Sequence, residues 1–129
     1  MIRKVTYRGK RLTTGEWVYG SLLQQKVSGI HTEMIMFDRG FGVDQVQIMA
    51  HTAGQFTGFK DTEAVEIYED DRILVGVYEA QVIWNEKVGA FCIKFDFEKE
   101  VGCLPLGEYI ADRSGVKVVG NIHDKKSRR

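Results

Sequence analysis

The sequence has little proline, no excess of charged residues and no long apolar run, so it does not resemble a disordered or membrane-spanning chain. It contains one proline, Pro105, and 28% charged residues in a chain of 129, so neither a proline-rich linker nor a disordered, highly charged chain is expected. No apolar run approaches the roughly 20 residues of a membrane-spanning helix, and the start MIRKVTYRGKR lacks the apolar segment of a signal peptide. We therefore expect a globular, cytoplasmic protein.

Cysteine is also scarce, with Cys92 and Cys103 as the two cysteines of the chain. In a reducing cytoplasm a structural disulfide between them is not expected. Cys92 lies in the apolar run GAFCIKF, where a cysteine usually acts as a small core residue. Cys103 follows Gly102, which predicts a turn or a strand edge at this point.

The chain has no net charge, because 18 Lys and Arg residues balance 18 Asp and Glu residues, yet its charges are segregated. An acidic block between Asp61 and Asp71 separates a basic start from a basic end. This polarity can orient a partner of opposite charge, including a second copy, although solvated termini and a solvated turn give the same pattern. The basic residues are Arg3, Lys4, Arg8, Lys10 and Arg11 near the start and Lys125, Lys126, Arg128 and Arg129 at the end.

Glycine, in contrast, occurs 14 times and punctuates short apolar stretches, which favours many short strands joined by turns. Alternating patterns predict strands at 16–24, 30–38 and 116–122, and a more polar, edge-like strand in VDQVQIM at 43–49. A slip in the alternation of RILVGVYEAQVIWN, at Gly76 and Val77, predicts a bulge or tight turn. The other predicted features are turns in KVSGI, DRGFG and NEKVG, a strand in which Phe91, Ile93, Phe95 and Phe97 alternate with Cys92, Lys94 and Asp96, and a helical turn near Leu106 to Asp112.

These patterns predict a mainly β protein with a small antiparallel architecture. Strands this short leave exposed edges, and a closed or half-open barrel is one way to remove them. The sequence shows no internal repeat of fixed period.

Three segments, in order along the chain, carry a family resemblance: AGQFTGFKD at 53–61, EIYEDDRIL at 66–74 and VVGNI at 118–122. Together with the upstream run GKRLTTGEWVYGSLL, they resemble the YopX-like proteins of bacteriophages and prophages. The resemblance implies a phage or prophage origin, and an SH3-like barrel at 53–129 with a short basic tail, preceded by an N-terminal β subdomain at 1–52. It implies no known activity. The family-motif positions expected to shape the structure are Gly54, Phe56, Thr57, Gly58, Asp61, Ile67, Tyr68, Asp71, Gly120 and Asn121.

The chain departs from the family pattern at two turns. Residues 62–65 read Thr-Glu-Ala-Val where the family commonly has an Asn-Gly type of turn. Asp70 stands where the family commonly has glycine. Glycine is preferred where φ must be positive, and Asp is among the few other residues that tolerate this conformation.

The acidic block does not match a calcium loop, which needs alternating oxygen ligands and a glycine at the sharp turn. We interpret Asp61 and Asp71 instead as turn residues whose side chains accept backbone N–H groups. Ile67 and Tyr68 are then expected to anchor the connecting segment in the core of the barrel.

The sequence contains few other residues in the patterns of metal-binding, catalytic or phosphate-binding sites. The three histidines, His31, His51 and His123, have no metal-site spacing, and a zinc site that combines His51 and His123 with the two cysteines would require the fold to bring them together. The glycines of GQFTG lack the spacing of a phosphate-binding loop, and more plausibly let Phe56 or Phe59 pack beneath a tight loop. We therefore predict a protein that is not an enzyme, with no cofactor and no metal.

The function predicted from these observations is a non-catalytic protein-interaction or self-assembly module in the cytoplasm of the host cell. We expect a homo-oligomer, with the edge-like strand VDQVQIM pairing between copies, and a phage or host protein is a further candidate partner. The alternative is a small-barrel nucleic-acid-binding protein that uses exposed aromatics and the basic ends, although overall neutrality argues against it. No membrane partner is expected.

Overall fold

The computed structural model describes residues 4–100, 102, 104–111 and 115–124. Antiparallel strands dominate these residues, so the prediction of a mainly β fold is confirmed. No helix in the described ranges is long and apolar enough to cross a membrane. The strands are Tyr7–Lys10 (β1), Trp17–Val27 (β2), Ile30–Asp38 (β3), Val43–Gln47 (β4), Gly54–Lys60 (β5), Glu66–Tyr68 (β6), Asp71–Val75 (β7), Tyr78–Asn85 (β8), Ala90–Phe95 (β9) and Val116–Asn121 (β10), and the helix is Leu106–Ala111 (α1).

The chain divides into two compact units, Met1–Phe56 and Thr57–Arg129, whereas the sequence placed the boundary between residues 52 and 53. In the first unit the strands lie in the order β4-β3-β2-β1, followed by the first residues of β5. The second half of β5 belongs to the second unit, where β6 lies beside it.

The longest hairpin of the first unit joins β2 and β3 through a two-residue turn. Ser28 and Gly29 have φ angles of 53° and 79°, and Val27 pairs with Ile30 across the turn. Positive φ at both central residues is typical of the type I′ turn, whose twist matches that of the flanking strands. The turns predicted in KVSGI and in DRGFG, which joins β3 to β4, are both confirmed.

Two glycines let the core side chains of the first unit approach the backbone. A Cβ atom on Gly9 would lie 2.4 Å from Cδ1 of Ile48, and one on Gly20 would lie 2.0 Å from the backbone oxygen of Met36. Ile35 and Ile48, both buried, pack over these glycines. Only glycine therefore fits at these two places in β1 and β2.

The second unit contains a four-stranded sheet in the order β10-β7-β8-β9. The slip predicted at Gly76 and Val77 is a tight turn, in which Val75 pairs with Tyr78 and Gly76 has a φ of 63°. Helix α1 confirms the predicted helical turn, although Asp112 lies outside the described residues. The helix packs on one face of the sheet, and the shared core consists of Ile67, Ile73, Val75, Ala80, Val82, Ile93, Leu106 and Val116.

The predicted SH3-like barrel is not confirmed, because the described strands of the second unit form an open sheet. The alternation predicted for AFCIKFDF is partly wrong. Cys92 and Ile93 are both buried, and the segment around Pro105 forms a β-bridge to Cys92. The strand ends at Phe95, and Phe97 is 69% exposed. The core position of Cys92 is confirmed, whereas Cys103 lies outside the described residues.

Candidate functional site

Asp61, at the end of β5, connects two distant parts of the second unit. Its Oδ1 accepts the backbone N–H groups of Glu63 at 2.8 Å and Val65 at 2.9 Å, which closes the turn into β6. Its Oδ2 accepts the N–H of Val118 in β10 at 2.9 Å. The Asp61 side chain is buried, and the three bonds are partly shielded from bulk water. The predicted turn role is therefore confirmed, and it includes a contact to β10 that sequence spacing did not show.

The ionisation of Asp61 follows from the same contacts. Burial alone raises the pKa of this carboxyl, but the backbone N–H groups of Val118, Val65 and Glu63 stabilise the charged form. The positive charge of Lys117 adds to this effect. Together they hold the pKa of Asp61 below its ordinary value of 3.8, so the carboxylate is ionised at neutral pH.

Asp71 plays a matching part at the start of β7, where it is 1% exposed. Its Oδ2 accepts the N–H of Tyr68 at 2.7 Å, which confirms the second predicted turn. Its Oδ1 accepts the side-chain N–H of Asn121 at 3.2 Å, and the two residues are direct partners in the β7–β10 pairing. Asn121 also accepts the N–H of His123 at 2.9 Å. A carboxylate and an amide thus tie the motif EIYEDD to the motif VVGNI.

The two departures from the family pattern both have positive φ angles. Asp70 has a φ of 70°, the conformation for which the family's usual glycine is suited. Its side chain gains contacts that glycine lacks, since Oδ1 accepts a hydrogen bond from Gln81 at 3.2 Å and Oδ2 lies 3.6 Å from Nε2 of His123. Ala64 has a φ of 65° and no polar side chain to offset the strain.

The remaining motif residues build the strands around these turns. The hydroxyl of Thr57 donates to the carbonyl of Ile67 at 2.7 Å, which joins β5 to β6. Gly58 has a φ of 91°, so this position of β5 suits glycine. Gly120 stands at a register shift in β10. The buried members are Gly54, Phe56, Ile67 and Tyr68, and Ile67 belongs to the shared core of the second unit.

The arrangement offers little to a substrate or a metal ion. The oxygens of Asp61 and Asp71 are engaged by N–H groups of the chain itself. Within the described residues, no three His, Cys, Asp or Glu side chains are placed to hold a metal ion together. The zinc site considered from the sequence also needs Cys103, which lies outside the described residues. The carboxylates of Asp61 and Asp71 thus bind backbone and side-chain N–H groups of the second unit.

The first unit exposes apolar side chains at its hairpin ends, which the sequence reading missed. At the β2–β3 turn Val27 is 55% exposed and Ile30 is 66% exposed. Next to the β3–β4 turn Phe41 is 89% exposed and Val43 is 69% exposed. The available signal was an apolar residue inside each predicted turn segment, in KVSGI and DRGFG. Clustered exposed apolar groups are typical of interaction surfaces.

The second unit exposes aromatic rings beside its core. Tyr78 meets Phe97 edge-on with centroids 5.5 Å apart, and Phe97 stacks on Phe95 at 5.1 Å. Tyr109 of α1 meets Phe95 at 6.0 Å, and burial together with the charge of Glu98 raises the pKa of the Tyr109 hydroxyl. Aromatic rings on this surface are thus held by one another.

Comparison with known protein families gives a match that spans the three sequence motifs. A family model described as YopX protein matches residues 6–128, nearly the whole chain. No curated protein matches the chain.

Proposed function

Because this chain belongs to the YopX family, we propose that it is a phage-type accessory protein without catalytic function that acts by self-association. The observation that carries the proposal is the outer edge of β2. This strand pairs with β1 over Trp17 to Gly20, but it continues for seven more residues beside β3. In the described part of the chain no strand pairs with this edge beyond Gly20.

The direction of the backbone groups follows from the hairpin. The residues that flank a two-residue turn exchange hydrogen bonds, and such pairs recur at every second position. Val27 and Gln25 therefore face β3, whereas Leu22, Gln24 and Lys26 direct their N–H and C=O groups outward. The free edge thus offers three donors and three acceptors.

A second copy satisfies these groups by symmetry. If β2 pairs antiparallel with β2 of another copy around Gln24, Leu22 lies opposite Lys26 of the partner and all six outward groups of each strand segment are used. The exposed Val27 then lies beside Ser21 and diagonal to Leu23 on the same face. The same segment of β2 in each copy therefore forms the two sides of a closed, two-fold symmetric interface.

The edge also lacks the features that usually prevent such pairing. Natural edges are protected by proline, bulges or several charges. Residues 21–27 read SLLQQKV, with one charged side chain and no proline, and the register with β3 is regular throughout. These properties favour pairing with another strand.

The edge strand named from the sequence, β4, is a weaker candidate. It does lie at the end of the sheet, as predicted. However, the carbonyl of Gln47 accepts the N–H of Leu12 at 3.0 Å, so part of its outer edge is already used. The N–H of Gln45 donates to Oδ1 of Asp44 at 2.8 Å, so the outward groups that remain are those of Val43 and the carbonyl of Gln45, a shorter edge than that of β2.

Nucleic-acid binding by the basic ends has less support. The guanidinium of Arg8 lies 4.3 Å from the ring centroid of Trp17, and the ammonium of Lys10 lies 5.3 Å from it, so both cations already stack on an aromatic ring. Arg3 and residues 125–129 lie outside the described residues.

Light scattering coupled to size-exclusion chromatography tests the proposal. We expect a dimer for the wild type across a series of concentrations and at low and moderate salt. Gln24→Pro removes an outward backbone donor and no backbone bond to β3. It also removes the exposed side-chain bond from Gln24 to Glu33 in β3, and it should give a folded monomer. A wild type that stays monomeric throughout would contradict self-association.

The matched control is Gln45→Pro, which places the same substitution at an outward position of β4. It should leave the dimer intact. A dimer lost in Gln45→Pro and kept in Gln24→Pro would assign the interface to β4 instead. Circular dichroism of both variants checks that the fold is retained.

A further inference from the structure

The sheet of the first unit has two faces of different chemistry over β2, β3 and β4. The pairing of these strands is regular, so directly opposed residues lie on the same face and neighbours along a strand lie on opposite faces. One face carries the charged residues Lys26, Glu33 and Asp44. The other, which we call the neutral face, consists of the odd-numbered residues of β2 from Ser21 onward, the even-numbered residues of β3 and the odd-numbered residues of β4.

The neutral face is exposed although it carries almost no charge. Asp38, at the end of β3, is its one charged residue, and all of its positions lie in the described part of the chain. Val27 is 55% exposed, Ile30 66% and Val43 69%. The buried Ile35 lies on the opposite face. Because a sheet face that remains in water normally carries polar and charged side chains, the neutral face has the character of a contact surface.

Pairing of β2 with β2 of a second copy extends this face. Opposed residues of an antiparallel pair lie on the same face, so two-fold pairing around Gln24 places the neutral faces of both copies on one side of the joined sheet. Leu23 of one copy then lies opposite Gln25 of the other. The neutral face thus becomes continuous over six strands, which are β2, β3 and β4 of each copy.

We propose that two such dimers pack through their neutral faces and form a tetramer, an inference that rests on the proposed self-association through β2. The central positions Leu23, Met34 and Met36 are uncharged, so two copies of the face meet there without repulsion between like charges. Two sheets packed face to face lie about 10 Å apart, with interdigitating side chains. The unbranched side chains of Met34 and Met36 adapt readily to such packing.

The size of the neutral face predicts a weak tetramer. With about 4.8 Å between strands and about 3.4 Å per residue, the six strands of a dimer present a face of at most about 29 Å by about 20 Å. Two opposed faces then cover at most about 1,200 Å² in projection, which is the lower limit for stable specific interfaces. Dimers should therefore predominate under the conditions of chromatography, and tetramers should form as the protein concentration rises above them.

Sedimentation equilibrium of the full chain, at concentrations that extend well above those of chromatography, tests the tetramer. Met34→Lys places a charge at the centre of the neutral face, between Leu23 and Gln47, and changes no backbone group of β2. It should weaken dimer–dimer association at least about tenfold and leave the dimer intact, because the contact desolvates the charge. Gln45→Lys adds the same charge at an exposed position and should act in the same direction, so a folding defect in Met34→Lys leaves the test valid.

The matched control is Val77→Lys, which replaces an apolar residue that is 84% exposed in the second unit. It should retain the tetramer. A wild type that is dimeric at every concentration would overturn the inference and leave the pairing of β2 in place, whereas a wild type that stays monomeric would contradict both. Tetramers retained in Met34→Lys and Gln45→Lys, or lost equally in Val77→Lys, would also overturn the inference.

Discussion

The turn segment of the second unit and the β2–β3 hairpin of the first unit use their polar groups in opposite ways. In the turn segment, buried carboxylates take up backbone N–H groups that strands leave unpaired, and Asp61 alone accepts three. In the hairpin, Leu22, Gln24 and Lys26 leave their backbone groups directed outward. The carboxylates of the motif segments thus bind backbone groups of the chain itself, whereas the outer edge of β2 leaves its backbone groups directed outward.

The largest effect that this comparison predicts is the loss of the Asp61 carboxylate. Asp61→Ala leaves three backbone donors without their acceptor, two in the turn and one in β10. We expect the free energy of unfolding to fall by about 3 to 5 kcal/mol. Urea denaturation followed by circular dichroism measures this change.

The neighbouring Glu63→Gln is the control for Asp61→Ala. Glu63 is exposed, and its carboxylate lies 3.5 Å from Lys117 in a surface pair. We expect a change within about 0.5 kcal/mol. Similar losses in the two variants would mean that the buried contacts of Asp61 do not hold the turn.

A second prediction concerns acid. The pKa of Asp61 is lower in the folded chain than the ordinary 3.8 that applies when it unfolds, so the carboxylate stabilises the fold above that value. This contribution is lost as pH falls through the folded-state pKa. Urea midpoints measured from neutral pH to about pH 3 should fall for the wild type and fall less for Asp61→Asn.

Asp96 provides the contrast within the same experiment. Its hydrogen bond with Arg72, at 2.6 Å, also lowers the pKa of its carboxyl, but the side chain is 53% exposed. Solvent weakens such a pair, so Asp96→Asn should change the acid dependence less than Asp61→Asn. A larger change in acid dependence for Asp96→Asn than for Asp61→Asn would contradict the argument that burial strengthens the contribution of Asp61.

Local chemistry explains which features were predictable from the sequence. The turn roles of Asp61 and Asp71 follow from short-range side-chain acceptors, and the positive φ of Asp70 agrees with the glycine expected there from the family resemblance. The hairpin turns follow from glycine and short polar residues. Each of these depends on residues within about five positions.

The features that were missed depend on long-range packing. Cys92 is buried on what alternation marks as an outer face, and the segment around Pro105 returns to form a β-bridge with it. The bond from the N–H of Val118 to Asp61 joins residues that lie 57 positions apart in the chain. No spacing rule in a single sequence contains these contacts.

A third prediction compares the two strained turns. Ala64→Gly removes a Cβ from a residue with a φ of 65°, so it should stabilise the second unit by about 0.5 to 1 kcal/mol. Asp70→Gly relieves similar strain at a φ of 70° but loses the contacts to Gln81 and His123, so its net effect should be smaller. Thermal and urea unfolding rank the two variants, and a destabilised Ala64→Gly would contradict the strain argument.

The smallest expected effect on stability comes from a substitution at the β2–β3 turn. It tests whether this part of the first unit contributes to self-association without stabilising the monomer. Ile30→Thr replaces an apolar side chain that is 66% exposed with another β-branched residue, so the free energy of unfolding of the monomer should change by less than about 0.5 kcal/mol. Self-association should nevertheless weaken, because Ile30 is the cross-strand partner of Val27, which lies beside Ser21 of the second copy in the proposed pairing. The control Val77→Thr changes a residue that is 84% exposed at the β7–β8 turn and should leave the dimer unaffected. Sedimentation velocity at several concentrations separates the two effects, and equal dissociation in both variants would remove the hairpin end from the interface.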